Sequence, residues 1–80
     1  MDKSVFTDAY RRLLAELRTA RKQAGLTQTE MGELIGEDQS FVAKYERGVR
    51  RLDAVELLVI TRALRVNACT IMRRVARELG

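Results

Sequence analysis

Eighty residues, 46% hydrophobic and 32% charged, fit one small globular domain over residues 1–80 with a single modest core, and are too few for two. No run of about 18 apolar residues offers a membrane span, no signal peptide is recognisable, and the lone Cys69 can close no internal disulfide, so a cytoplasmic protein is expected. A net charge of +4 favours an anionic partner, and the absence of histidine leaves no metal-ligand cluster, Cys/His pair or Ser/His/Asp set, so neither enzyme, metal nor cofactor is expected.

Residues 1–6 read as a frayed end, with Val5 and Phe6 able to dock on the first helix. From about Thr7 to Ala24, Tyr10, Leu13, Leu14, Leu17 and Ala20 recur at spacings of three and four. Arg11, Arg12, Glu16, Arg18 and Lys22 fill the other faces, which makes an amphipathic helix ended by Gly25. The stretch TQTEMGELIGEDQSFVAKYERG, Thr27 to Gly48, reads as two short helices joined by a tight turn. Thr27 and Glu30 form a capping box, and Met31, Leu34 and Ile35 give one apolar face. Gly36 stops that helix where a positive φ is needed. Gly32 lies inside it, at a cost of about 1 kcal/mol against alanine, which a close helix crossing would explain.

Asp38 caps the next helix, about Gln39–Arg47, with Val42 and Tyr45 turned inward. A basic loop, VRRL, follows Gly48. Asp53 then caps a fourth helix, with Glu56 three residues on. Val55, Leu57, Leu58, Val59, Ile60 and Leu64 make it apolar on more than one side, as expected of a central core helix. Asn67 caps a fifth, about residues 68–79, where Ile71, Met72, Val75, Ala76 and Leu79 form a stripe opposite Arg73, Arg74 and Arg77. Part of that stripe packs inward, and Ile71, Met72, Val75 and Leu79 are the candidate dimer contacts; Cys69 reads as a small core residue. The expected fold is all-α, a compact five-helix domain without strands.

Two short helices crossing over a glycine-containing turn make a helix-turn-helix. One helix can cross a phosphate backbone and place the other in the major groove, where each base pair shows a distinct donor and acceptor pattern. The second helix keeps Gln39, Ser40, Ala43 and Lys44 away from the core, with Asp38 and Phe41 at the margins. Gln39 can both donate to and accept from an adenine edge, Lys44 suits guanine or a phosphate, and Ser40 can bond to either. Asp38 is either a helix cap or an acceptor from a cytosine amino group. Phe41 either packs against the turn or touches a thymine methyl group. Charge is divided unevenly: residues 27–38 carry four acids and no base, whereas Arg47, Arg50 and Arg51 cluster after the second helix and suit phosphates.

At Arg21, Leu26–Gln28, Glu30, Met31, Gly32, Ile35, Gly36, Val42, Tyr45 and Glu46–Gly48, with Leu57, Ile60 and Leu64 downstream, the chain resembles the phage Cro/repressor-type (XRE-like) helix-turn-helix family. The resemblance covers roughly residues 14–66. It implies a lambda-repressor-like fold, base contacts at Gln39, Ser40 and Lys44, and a phosphate contact at Gln28, with Thr27 beside it. It also implies an ion pair between Arg21 and Glu46, against which the rival for Arg21 is a phosphate contact. Three positions depart from the pattern: Glu37 replaces an apolar turn residue, Phe41 a polar one, and Leu52 a common proline. The resulting expectation is a sequence-specific, homodimeric DNA-binding regulator, bacterial or phage, acting as a repressor on double-stranded DNA. RNA polymerase or another protein is a further candidate partner. The alternative is a protein-interaction module, such as a toxin-neutralising antitoxin or a small controller protein that also binds DNA.

Overall fold

The computed structural model describes residues 3–80, with side chains from residue 6, as five α-helices and a closing 3-10 turn, and no strand among the described residues. Helix α1 spans Lys3–Gln23, α2 Gln28–Ile35, α3 Gln39–Glu46, α4 Ala54–Ala63 and α5 Ala68–Ala76. The 3-10 turn, Arg77–Leu79, tightens what reads in sequence as the end of α5. Residues 3–6 are the first turn of α1 rather than part of a frayed end, since nothing in KSVF breaks a helix. Residues 1 and 2 and the Val5 side chain, which share that expectation, lie outside the described residues; Phe6 is 46% exposed.

Local rules build each junction. Thr27 and Glu30 close one reciprocal capping box and Asp53 and Glu56 a second, each satisfying two N–H groups that a helix start leaves free. Asp38 accepts from the Phe41 N–H, and Asn67 from those of Cys69 and Thr70. At the end of α2 the chain passes through Gly36 at φ 73°, with Glu37 N–H bonded back to the Gly32 carbonyl at 2.8 Å. Gly32 is required for a different reason: a Cβ there would lie 2.6 Å from the carbonyl oxygen of Glu37 and 2.9 Å from that of Asp38. The turn therefore folds directly over the helix it has just left.

Helix α1 supplies the centre of the core. Its Leu13, Leu17 and Ala20 meet Met31 of α2, Val42 and Tyr45 of α3, Ile60 of α4, Leu64, and Ile71 of α5. Four expectations fail here. The central helix is α1, not α4, because 21 residues present a longer continuous stripe. On α4 only Ile60 and Thr61 are buried, while Val55, Leu58 and Val59 are 69%, 51% and 47% exposed. Leu34 is exposed because α2 faces inward through Met31, Gly32 and Ile35. Cys69, in the first turn of α5, is exposed, whereas Ile71 is buried in the monomer's own core and is unavailable to a second copy.

Candidate nucleic-acid interface

The exposed side of α3 is held from behind by a chain of polar contacts that begins in the core. Arg21, in the last turn of α1, is buried yet charged. Its Nε donates to Glu46 Oε2 at 2.7 Å, its Nη2 to Glu46 Oε1 at 3.1 Å, and its Nη1 to the Leu26 carbonyl at 2.8 Å. The hydrogen bonds to Glu46 raise the guanidinium's pKa above its ordinary value, against the opposing pull of burial. The contact is bidentate and links the end of α1 to the end of α3.

Glu46 Oε1 also accepts from Gln28 Nε2 at 3.1 Å. A carboxylate offers no proton, so the Gln28 amide must turn its NH₂ group toward Glu46 and its oxygen away. That oxygen accepts from Gln39 Nε2 at 2.8 Å. The sequence Arg21–Glu46–Gln28–Gln39 thus runs from a buried cation to an exposed amide. Gln39 is exposed, and its carbonyl oxygen and second N–H, unused in that bond, are the pair that matches an adenine N6/N7 edge. Ser40 is half-buried beside it, and Lys44 is exposed one turn further along. Among the described residues neither Lys44 nor Arg47, also exposed, makes an ion pair.

The other margin of α3 is committed to the fold. Asp38 caps the helix through a 2.9 Å bond from the Phe41 N–H. Phe41 is half-buried, meets the Tyr45 ring edge-on with centroids 5.8 Å apart, and is covered by the Arg50 guanidinium at 4.6 Å. Of the two alternatives for Phe41, these contacts favour packing, with part of the ring left lining an open groove with Ile35, Val55 and Val59. Arg50 also bonds Glu56 at 2.7 Å, which lowers the Glu56 pKa and raises that of Arg50. Arg50 accordingly bridges α3 and α4 rather than standing free for a phosphate. Arg51 lies over the Tyr10 ring at 4.1 Å. The Tyr10 hydroxyl accepts from the Leu52 N–H at 3.1 Å, a bond that the common proline at this position could not make. Together these contacts hold the basic loop against α1.

Thr27 and Gln28 stand together at the start of α2, and Arg47 lies at the end of α3, so these two helix ends carry the remaining candidates for phosphate. On the opposite side Glu16 receives Arg12 at 2.9 Å and Arg74 at 2.8 Å, and the Arg74 bond leads in lowering its pKa. Sequence reasoning named Gln28 and Gln39 separately and missed their direct bond; an interval of eleven residues across a turn carries no local signature. It placed Tyr10 in the α1 stripe and missed its contacts with Arg51 and Leu52.

Residues 17–71 match the family model described as Helix-turn-helix. The solved structure of an XRE-family like protein from Pseudomonas syringae pv. tomato str. DC3000 aligns with a TM-score of 0.89 at 32% identity, covering 98% of this chain and 95% of that one. An uncharacterized HTH-type transcriptional regulator, y4wC, from Sinorhizobium fredii is 42% identical over 51 residues, which is 64% of this chain. The chain spans 36% of that relative's length.

Proposed function

The chain belongs to the XRE-type helix-turn-helix family, and from that premise we propose that it is a sequence-specific DNA-binding transcriptional regulator, a repressor acting as a homodimer on a two-fold-related operator. In this reading α3 enters the major groove. Gln39 reads adenine, Ser40 and Lys44 contact neighbouring bases, and Gln28, Thr27 and Arg47 engage phosphates. The observation that carries the reading is the bond chain from Arg21 to Gln39. A glutamine bonded to Gln28, which Glu46 and Arg21 hold in turn, loses less freedom on binding than an unattached one. Repression then follows from occupying promoter DNA, or from a contact with RNA polymerase made while bound there.

Selection from a random duplex library at fixed near-physiological salt, comparing the wild type with Gln39→Ala, tests this. The wild type should enrich a two-fold-related site with half-sites about one helical turn apart. Gln39→Ala should relax one base position, losing about 1–3 kcal/mol of discrimination there. Equal weakening on every sequence would remove Gln39 from the groove, and no enrichment at all would leave only non-specific affinity.

A further inference from the structure

We propose that the outer face of α4 is the surface through which two copies of this chain associate, packing antiparallel about a two-fold axis near Val59. The proposal deepens the operator-binding reading by naming its dimer interface, and rests on that reading only for the expectation of a homodimer. At 100° per residue, Leu57, Ile60, Thr61 and Leu64 occupy one side of α4 and point into the domain. The opposite row is Val55, Val59 and Arg62, with Leu58 on its flank. Val55, Leu58 and Val59 are all large, apolar and substantially exposed within little more than one turn. A contiguous apolar patch of this kind is the usual mark of an interaction site. The helix's neighbours, α2 and α5, leave this row uncovered.

Charge selects the occupant. The N-terminal end of α4 carries Asp53 and Glu56, and Glu37 lies across the groove formed by Ile35, Phe41, Val55 and Val59; Arg50 bonds Glu56 there, so three acids face one base and the end stays net acidic. The C-terminal end is basic, with Arg62 and Arg65 exposed and, among the described residues, in no ion pair. One helix with an acidic start and a basic end complements itself when the second copy runs the opposite way. The Arg62 stem would cover the partner copy's Val55, and its head would reach that copy's acidic rim. The competing face does not have this property. Phe6, Met72 and Leu79 border a second apolar groove, but Arg51 is its one charged lining residue, so two-fold pairing there would join no acid to a base. A standard interface of about 800 Å² per partner is roughly a seventh of the 5456 Å² accessible surface, within reach of one face of the domain. None of the α4 row belongs to the DNA-facing set.

The test is oxidative crosslinking in a Cys69→Ser background, comparing Val59→Cys with Met72→Cys, together with sedimentation of Leu58→Asp. Val59→Cys should form a disulfide-linked dimer at least tenfold faster than Met72→Cys. Leu58→Asp should keep its helical circular dichroism, sediment as a monomer, and bind a selected operator at least tenfold more weakly. Crosslinking through position 72 as fast as through 59, crosslinking through neither, or a Leu58→Asp variant that stays dimeric overturns the proposal. Failure of the DNA reading looks different: a wild type that enriches no site in the library, yet still crosslinks through position 59, sinks the operator and leaves the interface standing.

Discussion

The helix pairs α2–α3 and α4–α5 are built on one plan at a constant interval of 29 residues. Gly36 and Arg65 are the left-handed turn residues, at φ 73° and 57°, and Asp38 and Asn67 are the caps that follow. Met31 corresponds to Ile60, Gly32 to Thr61 and Val42 to Ile71, all buried. What differs is the face beside this shared core. The first pair has Gln28, Gln39 and Glu46 where the second has Leu57, Ala68 and Val75. In the second pair Leu57 and Val75 pack against the core, and α5 lies along α1. In the first, the same three positions form a hydrogen-bonded row that runs from the buried Glu46 carboxylate out to the exposed Gln39. The turn angles differ too, since ψ is 173° at Asp38 and 116° at Asn67. One scaffold thus serves two ends: apolar substitution at three positions yields a packing element, and polar substitution yields a reading element.

The largest expected effect comes from removing the cation behind that polar row. Arg21→Ala leaves the carboxylate of Glu46, its side chain only 4% exposed, without its charge partner. Losing one member of a buried pair costs about 3–5 kcal/mol. Thermal melting should fall steeply, and Gln39 should lose its support in the variants that still fold. An unchanged melting temperature would mean that the row is ornamental and that the two helix pairs differ only in composition.

A smaller effect sharpens the contrast between Gly32 and Thr61. Elsewhere in a helix, replacing glycine by alanine stabilises. Here the new methyl group meets two backbone carbonyls, and the cost of overpacking should reverse the sign, to about 1–3 kcal/mol of destabilisation. The corresponding Thr61→Ala should cost less, about 1 kcal/mol, because the Thr61 hydroxyl bonds only within its own helix, to the carbonyls of Leu57 and Leu58. Urea denaturation of both variants measures the difference. A stabilised Gly32→Ala would show that the first turn is as open as the second.

Much of this architecture is legible because it is set by near neighbours. Thr27, Asp38, Asp53 and Asn67 each announce a helix start through a bond that spans at most three residues, and the α1 stripe is periodic over the whole helix. The facing of α4 is not legible, because a helix apolar on several sides does not reveal which side its neighbours will cover. Arg65 gives no sign of its left-handed turn, which glycine marks elsewhere. Phe41 and Arg50 look like DNA-facing residues until Glu56, six residues beyond Arg50 and on another helix, fixes the guanidinium over the ring. The Gln28–Gln39 bond likewise depends on how the turn closes.

The least costly change concerns Tyr45, whose counterpart at the 29-residue interval is Arg74, exposed and bonded to Glu16. Tyr45 is fully buried, its hydroxyl finds no hydrogen-bond partner among the described residues, and burial first, then Glu46, pushes its pKa up to about 12. Tyr45→Phe removes an unsatisfied polar atom while keeping the ring against Phe41, so stability near neutral pH should stay level or rise by about 1 kcal/mol. The sign of the pH effect follows from the raised value. An unfolded tyrosine ionises near pH 10, so the stability held by the neutral, buried form is complete below about pH 10 and lost between there and about 12. The phenylalanine variant should therefore lack part of the wild type's alkaline fall, measured as unfolding free energy against pH from 9 to 12. A variant clearly less stable at pH 7 would mean instead that the hydroxyl is bonded in solution. Tyr45 would then extend the polar row into the core, and the contrast between the two helix pairs would reach deeper than their surfaces.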